Sequence, residues 1–172
     1  SMYKRRDTSG QTEAYDTDEY LHLLYCLFNE EYIMDNDMYN KAVKSKNYVD
    51  TWLFLALHFI CALRNTDIVR IIHPRLTINP EEVLKRIEDN TFSEEDARLT
   101  LYSITCRLAV LPLTPNKTKK HSGISSIKLC FPESIEVHMG TLFAIAEAHR
   151  LINNVPDDEP LIRVIADYDR IT

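Results

Sequence analysis

Glycine is scarce in this chain: Gly10, Gly123 and Gly140 are the only three in 172 residues. A glycine-rich phosphate loop or a dinucleotide fingerprint needs several closely spaced glycines where backbone meets phosphate, so neither can be written. No Gly-x-Ser-x-Gly elbow and no His-Glu-x-x-His helix occurs either. Cysteine is sparse as well. Cys26, Cys61, Cys106 and Cys130 lie among apolar neighbours with no Cys-x-x-Cys spacing, which suits buried thiols in a reducing compartment rather than disulfides or zinc. Long apolar runs are missing too: Trp52 to Leu63 is interrupted by His58 and falls short of the roughly 20 residues of a membrane span. The polar start, Ser1 to Asp7, carries no secretory signal, and Ser1-Met2 reads as a cloning scar. Cytoplasm is the expected compartment.

The length suits one domain with a real core, and 45% hydrophobic with 27% charged residues reads as soluble and globular. A net charge of −6 argues against a surface that coats nucleic acid all round, because neutralising phosphate takes clustered Lys and Arg. One basic face is still available. Positive charge gathers at Lys4-Arg5-Arg6, at Lys41, Lys44 and Lys46, and at Lys117, Lys119 and Lys120; acids gather at Glu30-Glu31, Glu94-Glu95-Asp96 and Asp157-Asp158-Glu159.

Residues 1–14 lack apolar periodicity and read as a linker or frayed terminus. Residues 15–172 are expected to form one mainly α, bundle-like domain with a small β-hairpin. Tyr20, Leu21, Leu23, Leu24, Leu27 and Phe28 have the spacing of one buried helical stripe. Asp35-Asn36-Asp37 caps a short helix through about Lys46. Tyr48 to Leu63 is apolar nearly all round and is expected to be the central helix, and Thr66 caps a short helix over Asp67 to Ile72. Asn79-Pro80-Glu81-Glu82 and Ser93-Glu94-Glu95-Asp96 are helix starts, each with a capping side chain and acids at the positive end of the dipole. The second of these opens a helix that Pro112 and Pro115 end. The partial alternation of Ile124, Ile127, Leu129 and Phe131 predicts a strand with its turn at His121-Ser122-Gly123. Helix returns from Glu133 to Asn153, with a break at Gly140, and again from Pro160 to Tyr168.

Most chemical signals have a bland reading. Asp35-Asn36-Asp37 begins like a calcium loop but puts Asn40 at the turn-glycine position and Lys46 at the bidentate-glutamate position. His58, inside the apolar helix, reads as a hydrogen-bonded core histidine. His138 and His149 share a helix face nearly three turns apart, too far to chelate one metal.

Arg64 and the lysine segment differ. The apolar helix is followed by Leu63-Arg64-Asn65-Thr66-Asp67, and Asn116-Lys117-Thr118-Lys119-Lys120-His121-Ser122-Gly123 leads into Ile127-Lys128-Leu129-Cys130-Phe131-Pro132. In this order of parts, over roughly Tyr15 to Asn153, the chain resembles the tyrosine recombinase or phage integrase family, as an amino-terminal part of its catalytic domain. The resemblance implies that Arg64 binds the scissile DNA phosphate, a bidentate role suited to a planar guanidinium. It implies that Asp67 holds that arginine, and that Lys117, with Lys120 as the alternative, protonates the leaving 5′-oxygen. Arg70, Lys119 and Lys120 become further DNA contacts. It also implies a bacterial or phage parent whose tyrosine attacks DNA to give a 3′-phosphotyrosine, with no metal and no cofactor. The family's His-x-x-Arg element and nucleophilic tyrosine have no counterparts here, because His138, His149-Arg150 and Tyr168 lack the spacing. Two helices between Pro80 and Val110 also lengthen the usual interval between arginine and lysine. The piece is therefore expected to bind a phosphate without cutting.

The bland counterpart is an Arg64–Asp67 surface pair, contributing under about 1 kcal/mol. A non-enzymatic helical interaction module, its acidic faces contacting a protein, is the alternative function. Leu142, Phe143, Ile145 and Leu151 are candidates for an apolar face that the missing half of the domain, or a second copy in a homo-oligomer, would cover. DNA is the expected partner, and no membrane is.

Overall fold

The last long helix is the centre of the molecule. In the computed structural model, which describes residues 16–108 and 129–163, eight α-helices follow in chain order: α1 Thr17–Phe28, α2 Glu30–Asp35, α3 Met38–Lys44, α4 Lys46–Cys61, α5 Asn65–Ile68, α6 Pro80–Glu88, α7 Glu94–Leu108 and α8 Glu136–Ile152, the last entered through a 3-10 turn at Glu133–Ile135. Every residue of α8 from Met139 to Arg150 is buried, and α7, α6 and α4 pack around it. Leu142, Phe143 and Ile145 are fully buried there, each contributing on the order of 1.5–3 kcal/mol of apolar burial. The expectation that they form an uncovered face is thus corrected; of that set only Leu151 is exposed.

Gly140 does not break α8. It lets α7 approach, since a Cβ there would fall far inside van der Waals contact with the Ala97 carbonyl oxygen. The expected central helix, α4, lies beside α8 and buries Val49, Trp52, Leu53, Ala56 and Leu57 on one stripe. It is amphipathic rather than apolar all round, and its outward side carries His58, which is exposed and not in the core.

Helix starts follow local chemistry. Asp16 and Glu19 form a reciprocal capping box on α1, Asn29 caps α2, Ser45 caps α4 and Asn79 caps α6 with Pro80 behind it. Asn29 also splits off α2, which the apolar pattern alone does not reveal. Asp37 begins α3 in the left-handed region at φ 53° with no side-chain cap. The α1 stripe is shallower than its spacing predicts: only Leu27 is buried, while Leu21 is 55% exposed and Tyr25 46%.

Three buried or half-buried polar networks tie the helices. The Leu27 carbonyl, orphaned at the end of α1, accepts from Trp52 Nε1 at 3.1 Å and His138 Nε2 at 3.0 Å. Tyr39 donates to His138 Nδ1 at 2.5 Å, so that imidazole is neutral with its proton on Nε2. Lys46 Nζ lies 2.7 Å from both oxygens of buried Asp50 and also donates to the Leu161 carbonyl, while the Arg163 amide donates to Asp50 at 3.1 Å. On α8, Arg150 makes a two-point fork to Glu147 at 2.8 and 2.7 Å, with both side chains at most 6% exposed.

Among the described residues there is no strand. The expected hairpin lies outside them up to Lys128, and Leu129 to Phe131 carry no regular structure. The expected linker at 1–14 lies outside them too. Pro160 to Arg163 is not helical, and the rest of that expected helix is likewise outside. No helix among the described residues is long and apolar enough to cross a membrane.

Candidate functional site

The segment that carries Arg64 begins with a strained stop. α4 ends at Ala62 in the left-handed conformation, φ 55° and ψ 34°. The other positive-φ residues described are Asp37, Asn90 and Asn154, types that tolerate this region, whereas an alanine there costs on the order of 1 kcal/mol. The reversal separates α4 from α5 and sets Arg64, rather than the expected Thr66, at the start of α5.

Asp67 then reaches back over that turn. Its Oδ2 accepts from the Arg64 backbone N–H at 3.0 Å and from Arg64 Nε at 3.3 Å. The aspartate is mostly covered while the arginine side chain is 73% exposed. Held along its Nε edge, the guanidinium turns its outer nitrogens to solvent, and among the described residues they have no partner. This arrangement fits both the surface pair and a presented anion-binding fork; the exposed outer edge is what the fork requires. His58 Nδ1 meets the Leu63 carbonyl at 3.4 Å, bracing the same turn.

Lys117, Lys119 and Lys120 lie outside the described residues, which resume at Leu129. Leu129 is buried in the core, Phe131 packs against it, and Cys61 Sγ lies 4.0 Å from the Cys130 carbonyl. Cys130 therefore lies beside the last residue of α4, three positions before Arg64. Sequence reasoning missed this contact, because two cysteines 69 positions apart carry no spacing signal. Burial pushes the Cys61 thiol up to about 11. The expectation of four buried thiols is corrected: Cys26 and Cys61 are half-buried, Cys106 and Cys130 exposed.

Arg70 is separate from this turn. It lines a cleft of about 530 Å³ with Arg75, His73, Glu147, Arg150 and the acidic segment Asp157 to Glu159. Arg70 and Arg75 make no ion pair among the described residues, whereas Arg150 is committed to Glu147 and, at 3.0 Å, to Asp157. His73 Nε2 meets the Glu159 carbonyl at 2.9 Å, and burial holds its pKa below the ordinary value. No group of three or more His, Cys, Asp or Glu among the described residues is placed to hold a metal ion.

Comparison with family models, with curated proteins and with solved structures returns no match. The reading of the site therefore rests on its own chemistry.

Proposed function

We propose that the Leu63–Asp67 turn is a phosphate-binding element of a DNA strand-exchange enzyme of the tyrosine recombinase type, and that this chain is the amino-terminal part of its catalytic domain, from a bacterial or phage parent. One observation supports the reading: the described chain resumes at Leu129, nine positions after Lys120, and Cys130 there lies 4.0 Å from Cys61 at the end of α4. Nearness of the arginine turn and the lysine segment is what a shared phosphate site requires, and it is part of this proposal. Arg64 supplies the planar fork, Asp67 its orientation, and Lys117, with Lys120 as the alternative, the proton for the departing 5′-oxygen. Arg70, Lys119 and Lys120 add backbone contacts, and the small hairpin of the integrase-like fold belongs to this proposal. The nucleophilic tyrosine would come from elsewhere in the parent, and no cofactor enters the scheme.

The test is salt-dependent binding of a DNA duplex by the chain, and strand exchange by the intact parent, with Arg64→Ala and Lys117→Ala. Loss of strand exchange in both variants, with DNA binding weakened by Arg64→Ala, is expected. Wild-type behaviour of both variants overturns the assignment.

A second reading, a non-enzymatic protein-interaction domain, draws on the exposed apolar side chains of α1 and α2: Tyr20, Leu21, Tyr25 and Met34. It gains if the chain has no DNA affinity and captures a defined protein partner through that face.

A further inference from the structure

The cleft that holds Arg70 and Arg75 has two walls of opposite charge. Residues 69–75 form one wall and the strap Asp157 to Pro160 another, with the buried Arg150–Glu147 fork also lining the cleft. The strap is held by backbone bonds along it and by the buried Leu161 and Ile162 side chains just after it. Arg150 Nη1 donates to the Val155 carbonyl at 2.7 Å, His73 contacts the Glu159 carbonyl, Lys46 donates to the Leu161 carbonyl, and the Arg163 amide donates to Asp50. Its carboxylates exceed what that anchoring uses. Asp157 reaches Arg150 and Glu159 reaches Arg163 at 3.1 Å, yet Asp157 is itself 91% exposed, and Asp158 makes no ion pair among the described residues. In the same cleft Arg70 and Arg75, like Asp158, make no ion pair among the described residues.

Arg70, Arg75 and the three acids line one and the same cleft of about 530 Å³, where charges sense each other without touching. The acids lower the positive potential that Arg70 and Arg75 would otherwise present to a polyanion. Resting on the DNA-binding reading above, we propose that the Asp157–Glu159 strap is an autoinhibitory counter-charge for the Arg70–Arg75 cleft, weakening DNA backbone binding there until it is neutralised or displaced.

The experiment compares the full 172-residue chain with two charge-matched variants, using a short fluorescent DNA duplex over a salt series. One variant carries Asp157→Asn, Asp158→Asn and Glu159→Gln; the other carries Glu81→Gln, Glu88→Gln and Glu95→Gln, three exposed acids away from the cleft. The strap variant is expected to bind roughly three- to tenfold tighter at about 50 mM salt, with a steeper salt dependence, and the control to gain much less. Adding Arg70→Ala and Arg75→Ala to the strap variant should erase the gain. Equal gains in both variants, no gain in the strap variant, or a gain that survives loss of both arginines overturns the inference. If the strap variant melts early, Asp158→Asn alone, which breaks no ion pair, replaces it with a smaller expected gain. Arg64→Ala separates the two proposals. If it weakens wild-type binding while the strap variant changes nothing, the phosphate turn stands and the strap falls; absence of salt-dependent binding in every protein overturns both.

Discussion

Gly140 on α8 faces the backbone carbonyl of Ala97 on α7 with no room for a methyl group between them. The approach of α7 to α8 at this point therefore depends on one missing side chain. In an exposed helix Gly→Ala gains up to about 1 kcal/mol of propensity. Here the added Cβ would force α7 and α8 apart, and overpacking of that kind costs about 1–3 kcal/mol. Gly140→Ala is expected to lower stability in urea unfolding; an unchanged or raised midpoint would show that the helices can separate freely.

Glu147 and Arg150 neutralise each other inside α8. Removing one partner leaves a buried charge, so Glu147→Leu or Arg150→Leu alone is expected to destabilise by about 3–5 kcal/mol. The double replacement should recover much of that loss. A double-mutant cycle with purely additive losses would contradict the coupling.

His138 is held neutral. Burial lowers its pKa from 6.5 to about 4, so between those values the unfolded chain binds a proton that the folded chain does not. Stability is then fully present above pH 6.5 and falls with decreasing pH toward 4, by about 3 kcal/mol in all. His73, also depressed by burial, acts in the same direction. Asp50, raised by burial, acts in the opposite direction. Chemical denaturation at pH 7 and pH 5 checks the slope, and His138→Gln should flatten it.

Asp67 and Arg64 separate stability from binding. The pair is at the surface, so Asp67→Asn should change stability by less than about 1 kcal/mol. Under the proposed function it should nevertheless weaken DNA binding, because the guanidinium loses its hold along Nε. Unchanged affinity would mean that the aspartate does not orient the arginine.

Thiol labelling checks the contact behind the proposed function. At pH 8 Cys130 and Cys106, both exposed, should react with iodoacetamide well before Cys61, whose thiol burial raises to about 11. Mass spectrometry showing Cys61 labelled as fast as the others would place the end of α4 in solvent.

Local chemistry carried most of the helical starts. Asn79-Pro80 and Ser93 do what their side chains dictate, since the cap bonds lie within three residues: Glu82 N to Asn79 at 2.8 Å and Asp96 N to Ser93 at 3.0 Å. What the sequence could not reveal is decided by distant partners. α4 and α8 are both apolar, and only the packing of α7, α6 and α4 around α8 makes the latter central. His58 and His138 both sit in apolar helices; the one that faces Leu27, 111 positions away, is half-buried and bonded, and the other is exposed. The candidate site shows the same division. The Arg64–Asp67 turn was readable from a spacing of three, whereas the meeting of Cys61 with Cys130 and the acids opposite Arg70 needed the fold.

The clamp from Lys46 to the Leu161 carbonyl joins positions 115 residues apart. Closing so long a loop is entropically unfavourable until the helices between are in place, so this contact belongs among the last steps of folding. Leu161 and Ile162 beside that clamp are fully buried in the core, so the segment cannot lift without uncovering apolar surface. Amide exchange at Arg163, bonded to Asp50, is therefore expected to be protected rather than frayed. The end of the described chain is a seam that closes the core.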